Sequence, residues 1–174
     1  MKKTFISILT VLVLFLLQTS IFHHLSIKGV VPNLLLIVVC AYGFLRGETD
    51  GIIAGFFCGL LMDVFYADII GLHSLEYMYI GFFNGMLNRF YVEDTVKLPV
   101  FCIGLSDVVL SFLTYFLRFV LQGKFNFAYY SLNIILPEFI YTMVVCIVLY
   151  PALLFIEHKV IPFTFRKEEQ QDVF

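Results

Sequence analysis

The chain has 174 residues, of which 61% are hydrophobic and only 14% are charged, and its formal net charge at pH 7 is −2. Soluble domains average about 45–50% apolar and about 25% charged residues, so this composition excludes a soluble globular enzyme. The near-neutral charge also excludes the strongly basic surface that binding to nucleic acid requires.

Hydropathy divides the chain into six apolar segments, each predicted to be a membrane-spanning helix. A spanning helix needs about 20 residues, and helices satisfy their own backbone hydrogen bonds in lipid. The segments are, in chain order, residues 5–22, 31–44, 52–67, 72–91, 98–122 and 132–157. Residues 1–158 are therefore predicted to form a single six-helix transmembrane domain, followed by a short charged cytoplasmic tail at 159–174.

The basic residues predict the orientation of these segments. Loops on the cytoplasmic side carry an excess of Lys and Arg. If both termini are cytoplasmic, eight of the eleven basic residues lie on the inner side and two lie in outer loops, while Arg118 falls within the fifth segment. The sequence therefore predicts six crossings with the N- and C-termini both in the cytoplasm.

Glycines recur at every fourth residue in the third and fourth segments. Small residues at this spacing share one helix face and let two helices approach closely in lipid. The residues on these faces are Gly51, Gly55, Gly59 and Asp63 in the third segment and Gly81 and Gly85 in the fourth. They are predicted either to pack these helices within the protein, which is the commoner use, or to form a face for a helix of another protein.

Charged side chains inside the predicted spans form a second pattern. Each ionised group at a helix centre costs about 2.5–3.5 kcal/mol on insertion scales, so it must be near an interface, neutral or paired. Counting about 1.5 Å per residue from the outer ends predicts a polar layer in the outer half of the membrane, with Asp107 nearer the middle. That predicted cluster consists of Asp63, Glu76, Arg118 and Glu138. Arg118 is predicted either to pair with one of the three acids or to reach the lipid headgroups alone.

Sequence motifs for catalysis are absent. There is no serine-hydrolase elbow, zinc-protease helix or phosphate loop, and the histidines have no carboxylate or cysteine partner at metal-ligand spacing. The cysteines stand one per apolar segment, without disulfide or zinc spacing. A proton-coupled transporter would use buried acids, but the chain shows no inverted repeat. We predict no enzymatic activity, no metal and no cofactor.

The order of several short motifs is similar to that of a known family. Pro32 and Asn33 begin P-N-L-L-L in the second segment, and Gly55 and Phe56 begin G-F-x-x-G-L-x-x-D in the third. The chain resembles the MreD family of rod shape-determining bacterial membrane proteins over nearly its whole length. The resemblance implies that certain motif positions are structurally important, namely Pro32, Asn33, Gly55, Phe56, Gly59, Asp63, Gly71, Gly81 and Glu138. The chain departs from the family pattern at Thr142, where Asn is expected, and at Glu76, where an apolar residue is expected.

The resemblance also implies a function. MreD proteins are multi-pass proteins of the bacterial inner (cytoplasmic) membrane, without activity of their own. Their fold is thought similar to the S-components of energy-coupling-factor vitamin transporters. They act as scaffolds for rod shape and lateral peptidoglycan synthesis by binding the bitopic protein MreC. They associate indirectly with MreB, RodA and a class B penicillin-binding transpeptidase.

One alternative function stays open at this stage, a vitamin-binding subunit of the S-component type. Such subunits usually dock through an Ala-x-x-x-Ala face on the first helix, whereas residues 1–29 here contain no alanine.

Overall fold

The structure, a computed structural model, describes residues 2–24, 30–66, 70–90, 97–122 and 135–160, and their side chains except at 2–5, 22–24, 89–90, 118–122 and 158–160. The described residues form six α-helices and one short 3-10 helix. These are α1 (Lys2–His24), α2 (Leu34–Arg46), α3 (Glu48–Tyr66), α4 (Leu72–Met86), the 3-10 helix Leu87–Phe90, α5 (Lys97–Gln122) and α6 (Leu136–Val160).

Each predicted segment corresponds to one α-helix, which confirms the all-helical fold class. Several helix boundaries differ from the predicted segments by a few residues, and two of the differences change how the helices are connected or end. The connection between the second and third predicted segments is reduced to Gly47, which has a φ of 96° and donates its N–H to the Gly43 carbonyl oxygen at 2.8 Å. Glycine adopts this conformation without strain, so α3 can begin at Glu48. The α-helical part of the fourth segment ends at Met86, where the 3-10 helix follows.

Contacts between side chains and between backbones establish the relative directions of the helices. The contacting pairs are Gln18–Leu34 and Ser7–Arg46 for α1 and α2, Gly51–Gly81 and Gly59–Ser74 for α3 and α4, and Glu76–Thr114 and Asn84–Ser106 for α4 and α5. In each of these helix pairs the residue number rises in one helix as it falls in the other, so the two helices are antiparallel. The direction of the chain therefore reverses between these consecutive helices, as repeated membrane crossings require.

α2 and α6 instead run parallel, because they contact each other at Asn33–Thr142 and at Arg46–Glu157. These two contacts lie at opposite ends of the bundle. We name these ends the Asn33 end and the Arg46 end. Under the predicted orientation, the Asn33 end faces away from the cytoplasm and the Arg46 end faces towards it.

α2 lies at the centre of the bundle. Every residue from Leu34 to Leu45 is buried, and α2 contacts each of the other five α-helices. A helix that is apolar on all sides is buried on all sides. Its 13 residues span only about 20 Å, which is short for a lipid layer, but the sides of α2 touch protein and need not match the lipid thickness.

Apolar side chains cover the outside of the bundle, whereas several polar side chains are buried within it. Large apolar residues are exposed on all the other α-helices, as Leu16, Phe57, Phe83, Phe101 and Val148 illustrate. The buried polar residues are Gln18, Asn33, Asp63, His73, Ser74, Glu76, Asn84, Asp107 and Thr142. This distribution is the reverse of that in a soluble domain and fits a protein whose surface contacts lipid.

Three of the described helices are long and apolar enough to cross a membrane, Glu48–Tyr66, Lys97–Leu117 and Leu136–Glu157. Ile6–Ile21 and Leu34–Arg46 are shorter apolar stretches. The six crossings, the position of the termini and the likeness to S-components stay predictions. α6 continues to Val160, and the rest of the predicted tail lies outside the described residues.

Candidate functional site: polar groups between the helices

The glycine faces of α3 and α4 pack against each other, backbone to backbone. The residues in contact are Gly51 with Gly81, Gly55 with Tyr77, Gly59 with Ser74 and Gly85 with Glu48. A Cβ atom added at any of these glycines would lie under 3.0 Å from backbone atoms of the facing helix. The glycines that the sequence offered for helix packing or for a partner thus lie at an internal contact, and α4 covers the face of α3 that another protein's helix would need.

Asp63, one turn beyond Gly59, caps the start of α4. The residue before α4 is Gly71, which has no side chain to accept hydrogen bonds from the first turn. Asp63 Oδ2 accepts from the Gly71 N–H at 2.9 Å, the Ser74 N–H at 2.9 Å and the Ser74 hydroxyl at 2.6 Å. Asp63 Oδ1 accepts from the His73 N–H at 2.9 Å. Both carboxylate oxygens are therefore engaged, and a residue of α3 supplies the cap that α4 lacks.

Glu76 is completely buried in the first turns of α4. Its Oε2 atom lies 3.1 Å from His73 Nδ1 and accepts a hydrogen bond from the Thr114 hydroxyl at 2.9 Å. Its Oε1 atom has no hydrogen-bond partner among the described residues. His73 and Glu76 are three residues apart and share one helix face, so this histidine has a carboxylate neighbour, although the described residues include no group of three that could hold a metal ion.

Asn33 joins three helices at the start of α2. Its Oδ1 atom accepts hydrogen bonds from the Leu36 N–H at 3.1 Å and from the Tyr77 hydroxyl of α4 at 2.8 Å. Its own N–H donates to the Thr142 hydroxyl of α6 at 3.2 Å. The first amides of a helix lack partners within the helix, so one Asn side chain both caps α2 and attaches α4 to it.

Gln18 of α1 accepts hydrogen bonds from the first two amides of α2. Its Oε1 atom accepts hydrogen bonds from Leu34 N–H at 3.0 Å and from Leu35 N–H at 3.2 Å. The start of α2 is thus held by side chains of α1 and α6 as well as by its own Asn33. In lipid, where water cannot replace a missing partner, such contacts fix the position of a helix end.

A family model described as rod shape-determining protein MreD matches residues 1–159. The chain belongs to the MreD family. No curated protein and no solved structure shows a significant match to this chain.

The MreD motif positions occupy distinct places in this fold. Pro32 is buried beside Asn33 in the approach to α2, and Gly71 has a φ of 104° immediately before α4. Phe56 is 41% exposed on α3. Glu138 is half-buried in the first turn of α6. Thr142, the departure from the MreD pattern in the last helix, still contributes a polar atom by accepting the N–H of Asn33.

The described residues of the predicted polar layer make separate contacts instead of forming one cluster. Asp63 is occupied with the α4 amides, and Glu76 contacts His73 and Thr114. The side chain of Arg118 lies outside the described residues. Its pairing with an acid therefore stays a prediction.

An ion pair at the Arg46 end was not anticipated from the sequence. Arg46 pairs with Glu157 of α6, donates to the Ser7 hydroxyl of α1 at 2.7 Å, and lies 4.0 Å above the ring centroid of Tyr42. The Arg46 and Glu157 side chains are only 5% and 12% exposed. The sequence does place these two opposite charges, Arg46 and Glu157, at the predicted cytoplasmic ends of two segments that run in the same direction.

We expect Glu157→Gln to lower the free energy of unfolding by about 3 kcal/mol, because breaking a buried pair leaves one charge uncompensated. The double variant Arg46→Met/Glu157→Met should recover most of this loss, since it removes both charges. Unfolding by SDS in detergent micelles, followed by circular dichroism, measures both. A double variant as unstable as Glu157→Gln would contradict the importance of the charge pair.

Proposed function

We propose that this MreD-family chain is a non-catalytic scaffold of the bacterial wall-elongation complex. It spans the cytoplasmic membrane six times, with both termini inside, and binds the bitopic protein MreC. Through MreC it associates with MreB, RodA and a class B penicillin-binding transpeptidase, and so supports lateral peptidoglycan synthesis and rod shape.

The observation that carries this proposal is the use of the buried polar side chains. Asp63, Asn33 and Gln18 direct their oxygen atoms at backbone amides in the first turns of α4 and α2. Catalytic side chains need free polar atoms aimed at a substrate, whereas these atoms are engaged in joining helices. Such an arrangement favours a rigid body that presents an outer surface to partner proteins.

The partner surface in this proposal lies on lipid-facing helix sides, because α4 already covers the glycine face of α3. α1 exposes Ile8, Leu12 and Leu16, which lie one turn apart on one side. α6 exposes Val144 and Val148. Either stripe is long enough to contact a single membrane-spanning helix such as that of MreC.

Photo-crosslinking tests this proposal directly. Benzoylphenylalanine is placed singly at Ile8, Leu12, Leu16, Val144 or Val148, with MreC co-expressed, and Phe101, a 67% exposed position on α5, serves as the negative control. We expect crosslinks to MreC from one stripe and none from Phe101. Failure of every exposed position to crosslink, together with failure of MreC to co-purify in mild detergent, would contradict the scaffold. A vitamin retained by the purified chain would instead indicate the transport alternative.

A further inference from the structure

Asp107 is a completely buried acid in the middle of α5. Its side chain is 0% exposed, and both carboxyl oxygens lack a hydrogen-bond partner among the described residues. It thus differs from Asp63, whose two oxygens accept four hydrogen bonds. The proposed scaffold does not account for a carboxyl group in this position.

The groups around Asp107 come from three other helices. Cys40 of α2, Cys146 of α6 and Tyr77 of α4 lie close enough to interact with it electrostatically. Thiols and a phenol carry no positive charge at neutral pH. No described basic side chain forms an ion pair with Asp107.

The layer next to Asp107 contains a second unsatisfied acceptor. Ser106, its neighbour in α5, accepts a hydrogen bond from Asn84 Nδ2 of α4 at 2.8 Å. The other side-chain atom of that amide, Asn84 Oδ1, is buried and has no donor among the residues described. Around Asp107 and Asn84, the described acceptor oxygens therefore outnumber the donors that could bond to them.

An ionised carboxylate in such surroundings costs several kcal/mol, because its side chain is removed from bulk water and none of the described donors bonds to it. A protonated carboxyl group is neutral and supplies one O–H donor. A metal ion is the other species that would satisfy acceptor oxygens. The described His, Cys, Asp and Glu side chains include no group of three placed to hold one.

We propose that Asp107 is a buried proton-binding site: its carboxyl group holds a proton at neutral pH, and release of that proton to water loosens the packing of α5 against α2 and α6. Because Asp107 lies where these helices meet, an ionised form would draw water or a cation into the contact. Binding of a proton at this site therefore favours the tight packing of α5 against α2 and α6.

Infrared spectroscopy of the full chain in lipid nanodiscs tests this proposal. A protonated carboxylic acid has a C=O stretching band that is separate from the bands of carboxylates. We expect such a band at pH 7 in the wild-type chain, a loss of its intensity in Asp107→Asn, and full intensity in the control Asp50→Asn, which changes a partly exposed aspartate at the start of α3. A spectrum without the band, or a band of unchanged intensity in Asp107→Asn, would overturn the proposal.

The pH dependence of unfolding provides a second measurement. The unfolded chain releases the Asp107 proton above about pH 4, while the folded chain retains it, so rising pH favours the unfolded state. For this group the folded-to-unfolded ratio should fall up to about tenfold per pH unit. Asp107→Asn should lack this component, and its stability relative to wild type should therefore increase from pH 5 to pH 7. A constant difference between the two proteins would contradict proton binding by the folded state.

If Asp107→Asn does not fold, isotope labelling of the wild-type chain identifies the residue that gives the band. Incorporation of aspartate labelled with ¹³C at the side-chain carboxyl carbon should shift the band at pH 7, whereas glutamate labelled in the same way should not. A band that shifts only with labelled glutamate would assign the proton to another residue and refute the site.

Discussion

Replacement of Gly55 by leucine is expected to prevent the protein from folding. A Cβ at this position would lie under 3.0 Å from the carbonyl group of Tyr77, a backbone atom that cannot move without displacing α4. Overpacking of a core usually costs about 1–3 kcal/mol, and contact with a backbone at the closest point between two helices belongs at or above the top of that range. Gly55→Ala, which adds only the Cβ, should lower the free energy of unfolding by about 2 kcal/mol.

Size-exclusion chromatography in mild detergent, with fluorescence detection, measures the folded fraction of each variant. Phe57→Leu is the matched control, because it places a leucine two residues away on the same helix at a position 56% exposed towards lipid. We expect this control to elute as wild type. A folded Gly55→Leu protein that had lost only its association with MreC would show that the glycine face serves a partner and not α4.

The glycine spacing illustrates how far the sequence can predict this fold. A repeat of four residues identifies a helix face that permits close approach, and Gly51, Gly55 and Gly59 indeed lie on such a face of α3. The spacing does not identify the helix on the other side, because a partner protein and α4 would demand the same small residues. The one-residue turn at Gly47 and the adjacent position of α4 decide the matter, and both are properties of the assembled chain.

The central position of α2 was also only partly predictable. Its apolar composition fits a helix surrounded by other helices and also a helix in contact with lipid, since both environments keep apolar side chains away from water. Its short length distinguishes the two in retrospect, because a helix that is surrounded by other helices need not span the lipid layer. The sequence marks Asn33 as important through the MreD motif, but its bonds to Tyr77 and Thr142 connect residues 44 and 109 positions apart.

The charged residues were the least predictable part of the candidate site. Membrane depth placed Asp63, Glu76 and Arg118 in one layer, and opposite charges in one layer suggest a pair. Depth does not specify rotation about the helix axis, which determines what each side chain faces. Asp63 faces the start of α4, where four donors engage it. The buried pair of Arg46 and Glu157 lies at the opposite end of the bundle, the Arg46 end.

Replacement of Asp63 by alanine should be nearly as damaging as the glycine substitution. The alanine would leave the N–H groups of Gly71, His73 and Ser74 without their acceptor. Hydrogen bonds to a charged group contribute about 1.5–3 kcal/mol each and are not additive, so we expect a loss of roughly 5 kcal/mol in the free energy of unfolding. Asp63→Asn keeps one acceptor oxygen and should lose roughly half as much.

Hydrogen–deuterium exchange distinguishes a lost cap from a general loss of stability. In Asp63→Asn, which is the milder variant, exchange should accelerate first at the amides of residues 71–74, while the amides in the middle of α2 keep their protection. The buried pair variant Glu157→Gln serves as the comparison, because it weakens the opposite end of the bundle. If both variants accelerated exchange in the same residues, Asp63 would stabilise the whole bundle and the specific role as the cap of α4 would be wrong. An effect confined to the start of α4 would establish that Asp63 acts as the N-terminal cap that α4 itself lacks.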